Sequence, residues 1–265
     1  MQDKNTPSKT GTSPRIVIQK RDMLLLQQIS LLRIVDRQQA GIIAGFNSTT
    51  RVNTRLLKLR HAGLLKRFFF VSPSGGKRAV YCLSKKGGDL AGTPANAISR
   101  PQDSFLLGDK FVAHQLAIND VYCSATISKD QGSGADTKWH PPANSLRSLS
   151  HVVPDAYFEI RFHEVTRPMF LEVDLGTEGL PVWRKKLTEY LSLASSGEFE
   201  KIFRHPRFGV AVVASSEKRM LLLQKEISKA TQKLFYFTTL EQIKAKSFWS
   251  QIWFRPVGDQ RQSLI

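Results

Sequence analysis

The chain has 265 residues, of which 41% are hydrophobic, and a formal net charge of +17. This length suits one large domain or two modest ones, and the hydrophobic fraction excludes a wholly disordered chain. Cys82 and Cys123 are too few for a disulfide framework or a zinc site of their own. No apolar run reaches the roughly 18–20 residues of a membrane span. The polar start is unlike a signal peptide, so we expect a reduced cytoplasmic protein without a membrane partner.

The positive charge is concentrated in the first third of the chain. Residues 1–90 contain 17 Lys and Arg against 4 Asp and no Glu, a net charge of +13, whereas the other 175 residues carry a net charge of +4. This asymmetry predicts that the N-terminal part binds a polyanion, and we expect nucleic acid. A basic domain that is merely soluble is the alternative, and the complete lack of Glu disfavours it.

The basic part has the element order of a winged helix-turn-helix over residues 15–90. A polar tail, residues 1–14, is predicted to be disordered. Apolar spacing and turn residues predict helices at about 21–34, 37–44 and from Asn47 or Ser48 to Gly63. Two strands at 65–71 and 77–83 then flank a Gly-rich turn, as in the wing of such a domain.

The third predicted helix carries a basic face. Arg51, Arg55 and Lys58 are spaced four and three residues apart, so they share this face, while the opposite face is apolar. In helix-turn-helix proteins such a face enters the major groove, where Arg reads guanine and Lys or Thr contacts phosphate. The predicted DNA-binding residues are Thr50, Arg51, Thr54, Arg55, Lys58 and, on the wing, Lys77 and Arg78. A solvated basic face, or a winged helix that binds protein, is the alternative.

A second, α/β domain is predicted over residues 104–255, between a linker at 91–103 and a C-terminal tail at 256–265. The predicted elements, in chain order, are a helix at 104–124, a loop at 129–148, strands at 152–163 and 168–175, a helix at 181–195, a strand at 208–214, a helix from 217, a strand at 234–238 and an apolar stretch at 248–254.

Three carboxylates fall on neighbouring predicted strands of this domain. Asp155 opens one strand, and Glu172 and Asp174 share a face of the next because they are two residues apart. A hairpin of these strands brings Asp155 close to Glu172. Clustered carboxylates repel each other unless a cation, a proton or a lysine compensates them. Asp155 and Glu172 are therefore candidate ligands for Mg²⁺ or Mn²⁺, with Asp174 assisting, in a site that cleaves phosphodiesters.

The helix after these strands carries two lysines near the carboxylates. Lys185 or Lys186 is predicted to orient a water or to stabilise charge on a phosphate, and only one of the two can face the site. The alternative is structural: Glu172 or Asp174 pairs with one of these lysines, or the carboxylates are solvated. Nearby, Tyr190 is predicted to pack instead of acting as a nucleophile, and His114 to be a hydrogen-bonded core residue.

The order of elements in this domain resembles the PD-(D/E)XK nuclease fold. That order is a helix, a strand with Pro154-Asp155, a strand with Glu172, a second helix and a further strand. That family has Lys two residues after the Glu, where this chain has Asp174. In some members the lysine lies on the following helix, which matches Lys185 or Lys186. The resemblance implies an α/β protein in which a winged helix-turn-helix precedes a nuclease-like domain with a central mixed sheet.

More narrowly, the chain resembles the replication-relaxation family, which includes MobC-like plasmid relaxases. The resembling pieces are the winged helix and residues 114–121, 154–156, 170–178 and 185–190. This resemblance implies a DNA-binding protein of a plasmid or mobile element that nicks DNA in mobilisation or replication. Its partners would be double-stranded DNA and other mobilisation or replication proteins, and a homodimer is compatible with it. A Glu-x-Asp in place of Glu-x-Lys also fits a domain that has lost catalysis, so a non-catalytic DNA-binding regulator or accessory factor is the alternative.

Overall fold

The computed structural model of the chain describes residues 16–71, 76–93, 105–107, 110–126, 134–140, 149 and 152–265. The chain divides into two compact units, Met1–Gly108 and Asp109–Ile265. The predicted tail at 1–14 and most of the predicted linker lie outside the described residues.

Three helices and a strand pair form the larger part of the first unit, as predicted. Its described elements are α1 (Lys20–Leu32), β1 (Val35–Asp36), α2 (Arg37–Ile43), α3 (Thr49–His61), β2 (Leu65–Val71), β3 (Lys77–Leu83), α4 (Lys85–Ala91) and β4 (Phe105–Leu107). The three predicted helices and both predicted strands are confirmed, with helix ends that differ by one or two residues. The apolar face of α3 (Val52, Leu56 and Leu59) is buried, also as predicted.

Helix α4 and strand β4 are absent from the prediction. Ser84 caps α4, since its side chain accepts a hydrogen bond from the Gly87 amide at 2.9 Å. The sequence does not predict this helix because it contains two adjacent glycines, and glycine is unfavourable in helix interiors. Gly87 is needed for a close approach: a Cβ there would lie 2.0 Å from the Leu64 carbonyl oxygen.

The strands of the first unit form one sheet in the order β1-β3-β2-β4. β2 and β3 pair antiparallel from Leu65 opposite Leu83 to Val71 opposite Lys77. β4 pairs parallel with β2, so Phe105–Leu107 is a strand of the first unit. The prediction that a helix begins at Ser104 is therefore wrong: the helix of the second unit begins at Lys110.

The second unit alternates strands and helices. Its described elements are α5 (Lys110–Thr126), β5 (Asp136–His140), β6 (Ala156–Phe162), β7 (Val165–Asp174), α6 (Leu180–Ser196), α7 (Glu198–Phe203), β8 (Gly209–Ala214), α8 (Glu217–Ile227), β9 (Phe235–Thr239) and α9 (Leu240–Ala245). The predicted strands and helices after residue 150 are confirmed. The predicted loop at 129–148 is wrong in part, because β5 lies within it.

A five-stranded mixed sheet forms the centre of the second unit, in the order β5-β6-β7-β8-β9. The first three strands are antiparallel, and β8 and β9 run parallel to β7. A short turn between Phe162 and Val165 suffices for the antiparallel pair, whereas helices provide the crossovers that parallel neighbours require. The mixed character of this sheet agrees with the prediction.

Both faces of this sheet are covered. On one face Leu171 and Val173 pack with α5 and with the C-terminal apolar residues around Trp253. On the other face Phe170 and Val212 pack with α6, α7 and α8. Residues 168–174 of β7 are consequently all buried, as expected for a strand between two helical layers. The predicted C-terminal tail belongs to this packed unit, since Leu264 is buried and Gln262 forms a bridge with Trp253.

No helix in the described ranges is both long enough and apolar enough to cross a membrane. Cys82 and Cys123 are not joined by a disulfide bond, and both are buried.

Candidate functional site

The carboxylates of Asp155 and Glu172 meet at one end of the β6–β7 pair. Ala156 pairs with Leu171, so Asp155 and Glu172 are the next residues along the two strands. The Asp155 amide donates to the Leu171 carbonyl at 3.0 Å, and the Val173 amide donates to Asp155 Oδ2 at 2.7 Å. These bonds fix the Asp155 carboxylate against β7, and the predicted proximity of the two acids is confirmed.

Glu172 is buried, and two residues of α6 hold its carboxylate. Tyr190 donates from its hydroxyl to Glu172 Oε1 at 2.6 Å, and Lys186 Nζ donates to Oε2 at 2.9 Å. Burial and the neighbouring Asp155 charge raise the pKa of Glu172 to about 7, while Lys186 and Tyr190 oppose that rise. Tyr190 therefore orients Glu172. It is a buried packing residue, as predicted, and its hydroxyl also forms a hydrogen bond with Glu172, which the prediction did not include.

Lys186 is the lysine that faces the carboxylates. Its ammonium also lies 2.9 Å from Glu178 Oε2, and 24% of its side chain is exposed. Burial lowers the pKa of Lys186, but Glu172 and Glu178 outweigh burial and leave the pKa raised, so the ammonium stays charged. Lys185 points away: its side chain is 80% exposed and pairs with Glu189 at 3.8 Å. One lysine of the predicted two thus contacts the site.

Asp174 is enclosed by donors. Its Oδ1 accepts from the Gly176 amide at 2.7 Å and from Arg219 Nε at 2.8 Å, and its Oδ2 accepts from Trp183 Nε1 at 2.6 Å and from Arg219 Nη2 at 2.8 Å. Burial raises the pKa of Asp174, but these hydrogen bonds outweigh burial and lower it. Asp174 therefore ties β7 to α6 and α8, which distinguishes it from Asp155 and Glu172.

His114, from α5, also reaches these acids. Its Nε2 lies 2.9 Å from the Val173 carbonyl oxygen and 3.3 Å from Asp155 Oδ2, and 35% of its side chain is exposed. The hydrogen bond with Asp155 is the main cause that raises the pKa of His114, against burial. The predicted core histidine is thus a polar member of the site. Helical spacing could not show this, because Val173 is 59 residues away in sequence.

We call His114, Asp155, Glu172 and Lys186 the Asp155–Glu172 site. Its two carboxylates and the Val173 carbonyl are the oxygen ligands that Mg²⁺ prefers, and Mg²⁺ keeps several waters besides. The Asp155 charge that raises the pKa of Glu172 would be relieved by a cation, so the residues fit Mg²⁺ or Mn²⁺ in type. Among the described residues, no cluster of three or more His, Cys, Asp or Glu has the arrangement of a metal site. Waters would therefore have to complete the shell, and the His114 N–H would have to move aside.

The first unit displays an exposed basic surface that includes most of the predicted DNA-binding residues. Thr50, Arg51, Thr54 and Lys58 are exposed on α3, and Lys77 and Arg78 are exposed on β3. Arg78 lies 3.7 Å from Asp36, and the Lys77 ammonium lies 4.2 Å from the centre of the Phe69 ring.

The structure separates Arg55 from that surface. The guanidinium of Arg55 donates from Nε to Asp22 Oδ1 at 2.7 Å and from Nη2 to the Val17 carbonyl at 2.7 Å, with a further close contact to Asp22 Oδ2. Arg55 is 13% exposed and Asp22 is 1% exposed. This ion pair joins α3 to α1. The position of Asp22 in α1, 33 residues earlier, was the signal that the helical-face argument omitted.

Together, these features define a protein of two α/β units, one with an exposed basic helix and one with a buried cluster of acids and a lysine. The profile of the replication-relaxation family matches residues 26–204, so the chain belongs to that family. The matched range contains the basic surface of α3 and every residue of the Asp155–Glu172 site. Membership supports a role in the replication or relaxation of plasmid or mobile-element DNA. No curated protein and no solved structure matches the chain.

Proposed function

We propose that this protein binds double-stranded DNA of a plasmid or mobile element through its first unit and nicks one strand at the Asp155–Glu172 site. The observation that supports cleavage best is Lys186 Nζ, 2.9 Å from Glu172 Oε2 and on the helix that follows the two acidic strands. Two acids and a lysine at the end of a strand pair are the groups that phosphodiester hydrolysis requires. The order α5, three antiparallel strands, α6 and parallel β8 also supports a PD-(D/E)XK-like second unit.

DNA binding is proposed for the exposed basic surface of α3 and β3. Three helices followed by the β2–β3 strand pair support a winged helix-turn-helix, in which α3 would enter the major groove. Arg51 would reach base edges, while Thr50, Thr54 and Lys58 would contact phosphates. Lys77 and Arg78 on the wing strand would contact the adjacent backbone. Arg55 would act indirectly, by holding α3 against α1.

Within the site each side chain has a separate proposed role. Asp155 and Glu172 would hold Mg²⁺ or Mn²⁺, which supplies an activated water and a positive charge for the phosphate oxygens. Lys186 would stabilise the charge that develops on the phosphate when one of its ester bonds breaks. Tyr190 keeps Glu172 in place. Asp174, held by Arg219 and Trp183, would keep β7 and α6 in register without contacting the phosphate.

The test is conversion of a supercoiled plasmid that carries the DNA flanking this gene into nicked circles. Glu172→Gln and Asp155→Asn should lose nicking by at least about 100-fold, because each removes a proposed cation ligand. Glu189→Gln is the matched control, since it removes one charge from the same end of α6 without touching the acids. DNA affinity should be equal in all four proteins. Nicking that persists in Glu172→Gln would refute the assignment of the site.

One observation favours a second function, that of a non-catalytic DNA-binding regulator or accessory factor. Glu172 already has Lys186 and Tyr190 as partners, and Asp174 already has Arg219 and Trp183, so the acids are compensated without a cation. In that case wild-type protein would show no metal-dependent nicking, while Arg51→Ala would still abolish specific DNA binding. Under either function the proposed setting is the cytoplasm, with other mobilisation or replication proteins as partners.

A further inference from the structure

A second polar region of the second unit lies away from the Asp155–Glu172 site. A cavity of about 870 Å³ opens where β7, β8 and β9 begin, whereas Glu172 lies near the end of β7. Five basic side chains line it: Arg167, His205, Arg207, Lys233 and Arg255. Glu200 is the acidic residue of its lining. We call this cavity the basic groove.

Among the residues that the structure describes, the cations of the basic groove form no ion pair with a carboxylate. Within the described part of the chain, Arg207 and Lys233 are exposed and neither forms an ion pair. Arg167 donates to the Leu264 carbonyl, a neutral acceptor. Several uncompensated positive charges around one concave surface attract a polyanion and raise its local concentration.

Arg255 is held at the wall of the groove by an aromatic contact. Its guanidinium carbon lies 4.3 Å from the centre of the Tyr236 ring, which fixes the side chain in place. The positive charge of Arg255 is therefore positioned beside the cavity, where an anionic ligand would pair with it.

The groove adjoins a second cavity of about 430 Å³ that shares Arg167, Tyr236 and Arg255 and adds Arg261. Two adjoining cavities lined by arginines suit an extended polyanion better than a single small anion.

The wall of the groove is partly apolar and aromatic. Its partly exposed residues of this type are Leu191, Phe208 and Tyr236. Exposed bases of single-stranded DNA pack on such surfaces while the phosphates contact Arg and Lys. A duplex keeps its bases stacked inside and would leave this wall in water.

We propose that the basic groove binds single-stranded DNA, with phosphates on Arg207, Lys233 and Arg255 and bases against the apolar wall. The choice of DNA as the polyanion rests on the proposed nicking function, because a nicking protein has a single strand to hold. Arg167 and Glu172 are five positions apart on β7, roughly 17 Å along an extended strand. The groove and the Asp155–Glu172 site therefore lie toward opposite ends of β7.

Fluorescence anisotropy of a labelled oligothymidylate on the full chain tests this inference. Arg207→Ala/Lys233→Ala should weaken binding by about tenfold or more and reduce the salt dependence of binding. Lys218→Ala/Lys225→Ala is the matched control, since it removes two exposed cations of the same unit outside the groove. Affinity of the wild-type level in the groove variant would overturn the proposal. Equal weakening of single-stranded and duplex binding would overturn the assignment to a single strand.

The same proteins separate this inference from the proposed function. If the wild type does not nick but the groove variant still loses single-strand binding, the proposal of single-strand binding in the groove is supported and the nicking function is refuted. If the wild type nicks and the groove variant binds oligothymidylate normally, the nicking function is supported and the proposal of single-strand binding in the groove is refuted.

Discussion

Lys186 Nζ lies between two carboxylates, 2.9 Å from Glu172 Oε2 and 2.9 Å from Glu178 Oε2. Only Glu172 of these two is buried, so the lysine connects the interior of the second unit with its surface. The chain lacks the Lys of a Glu-x-Lys pattern on β7, and α6 supplies an ammonium to the same acid instead. This contact links the stability of the second unit to its proposed chemistry, because Glu172 would serve both.

The buried carboxyl of Glu172 should make stability fall as pH rises through the acidic range. Its pKa is about 7 in the folded protein, against 4.5 as its ordinary value. Between these pH values the folded state keeps a proton that the unfolded state has released, so raising the pH favours unfolding. Glu172→Gln removes this effect. Its free energy of unfolding relative to wild type should therefore increase from pH 5 to pH 8, measured by urea denaturation in metal-free buffer.

Glu189→Gln is the control for this pH series, because it makes the same chemical change at an acid that lies on α6 and is less buried than Glu172. Its free energy of unfolding relative to wild type should stay nearly constant over that range. A relative stability of Glu172→Gln that falls with pH would contradict the buried, proton-retaining state of Glu172.

The Arg55–Asp22 pair should divide the basic residues of α3 into two functional types. Arg55→Ala leaves the buried Asp22 carboxylate without its partner and should lower the free energy of unfolding by about 3 kcal/mol. Arg51→Ala should leave stability unchanged and weaken specific DNA binding, with little change in the slope of log affinity against log salt. Urea denaturation and anisotropy on duplex DNA measure the two quantities. Equal stability losses in both variants would contradict this division.

The Asp174–Arg219 pair should stabilise the second unit at neutral pH and lose that effect in acid. Arg219→Ala should lower the free energy of unfolding by about 3–5 kcal/mol at pH 7, because a buried charge pair is broken. The pKa of Asp174 is lowered from 3.8, so the contribution is complete above that pH and is lost as pH falls through the folded-state pKa. The difference from wild type should therefore shrink below about pH 4. Lys185→Ala, which removes an 80% exposed cation from α6, should change stability by no more than about 0.5 kcal/mol at both pH values.

The sequence predicted the parts of the site that depend on local geometry. Alternation along β7 places Glu172 and Asp174 on one face, and the hairpin brings Asp155 beside Glu172, as the structure shows. Consecutive residues on a helix point in different directions, which is why one lysine of the Lys185-Lys186 pair faces the acids.

Tertiary contacts account for what the sequence could not show. His114 reaches Asp155 only because α5 packs on the face of the sheet that carries Val173. Arg55 has the same helical spacing as Arg51 and Lys58, yet it forms an ion pair with the buried Asp22 of α1. Periodicity reports how residues share a face, and it does not report which charges on different elements will pair.

The most direct test of the account is the rate of nicked-circle formation from the supercoiled plasmid in Mg²⁺, with Lys186→Ala beside Lys185→Ala. The two variants remove the same charge from adjacent positions of α6, and only Lys186 contacts Glu172. We predict that Lys185→Ala nicks like wild type and that Lys186→Ala loses at least about 100-fold in rate while its DNA affinity is unchanged. Equal rates in the two variants, or no metal-dependent nicking by the wild type, would contradict the claim that this site cleaves DNA.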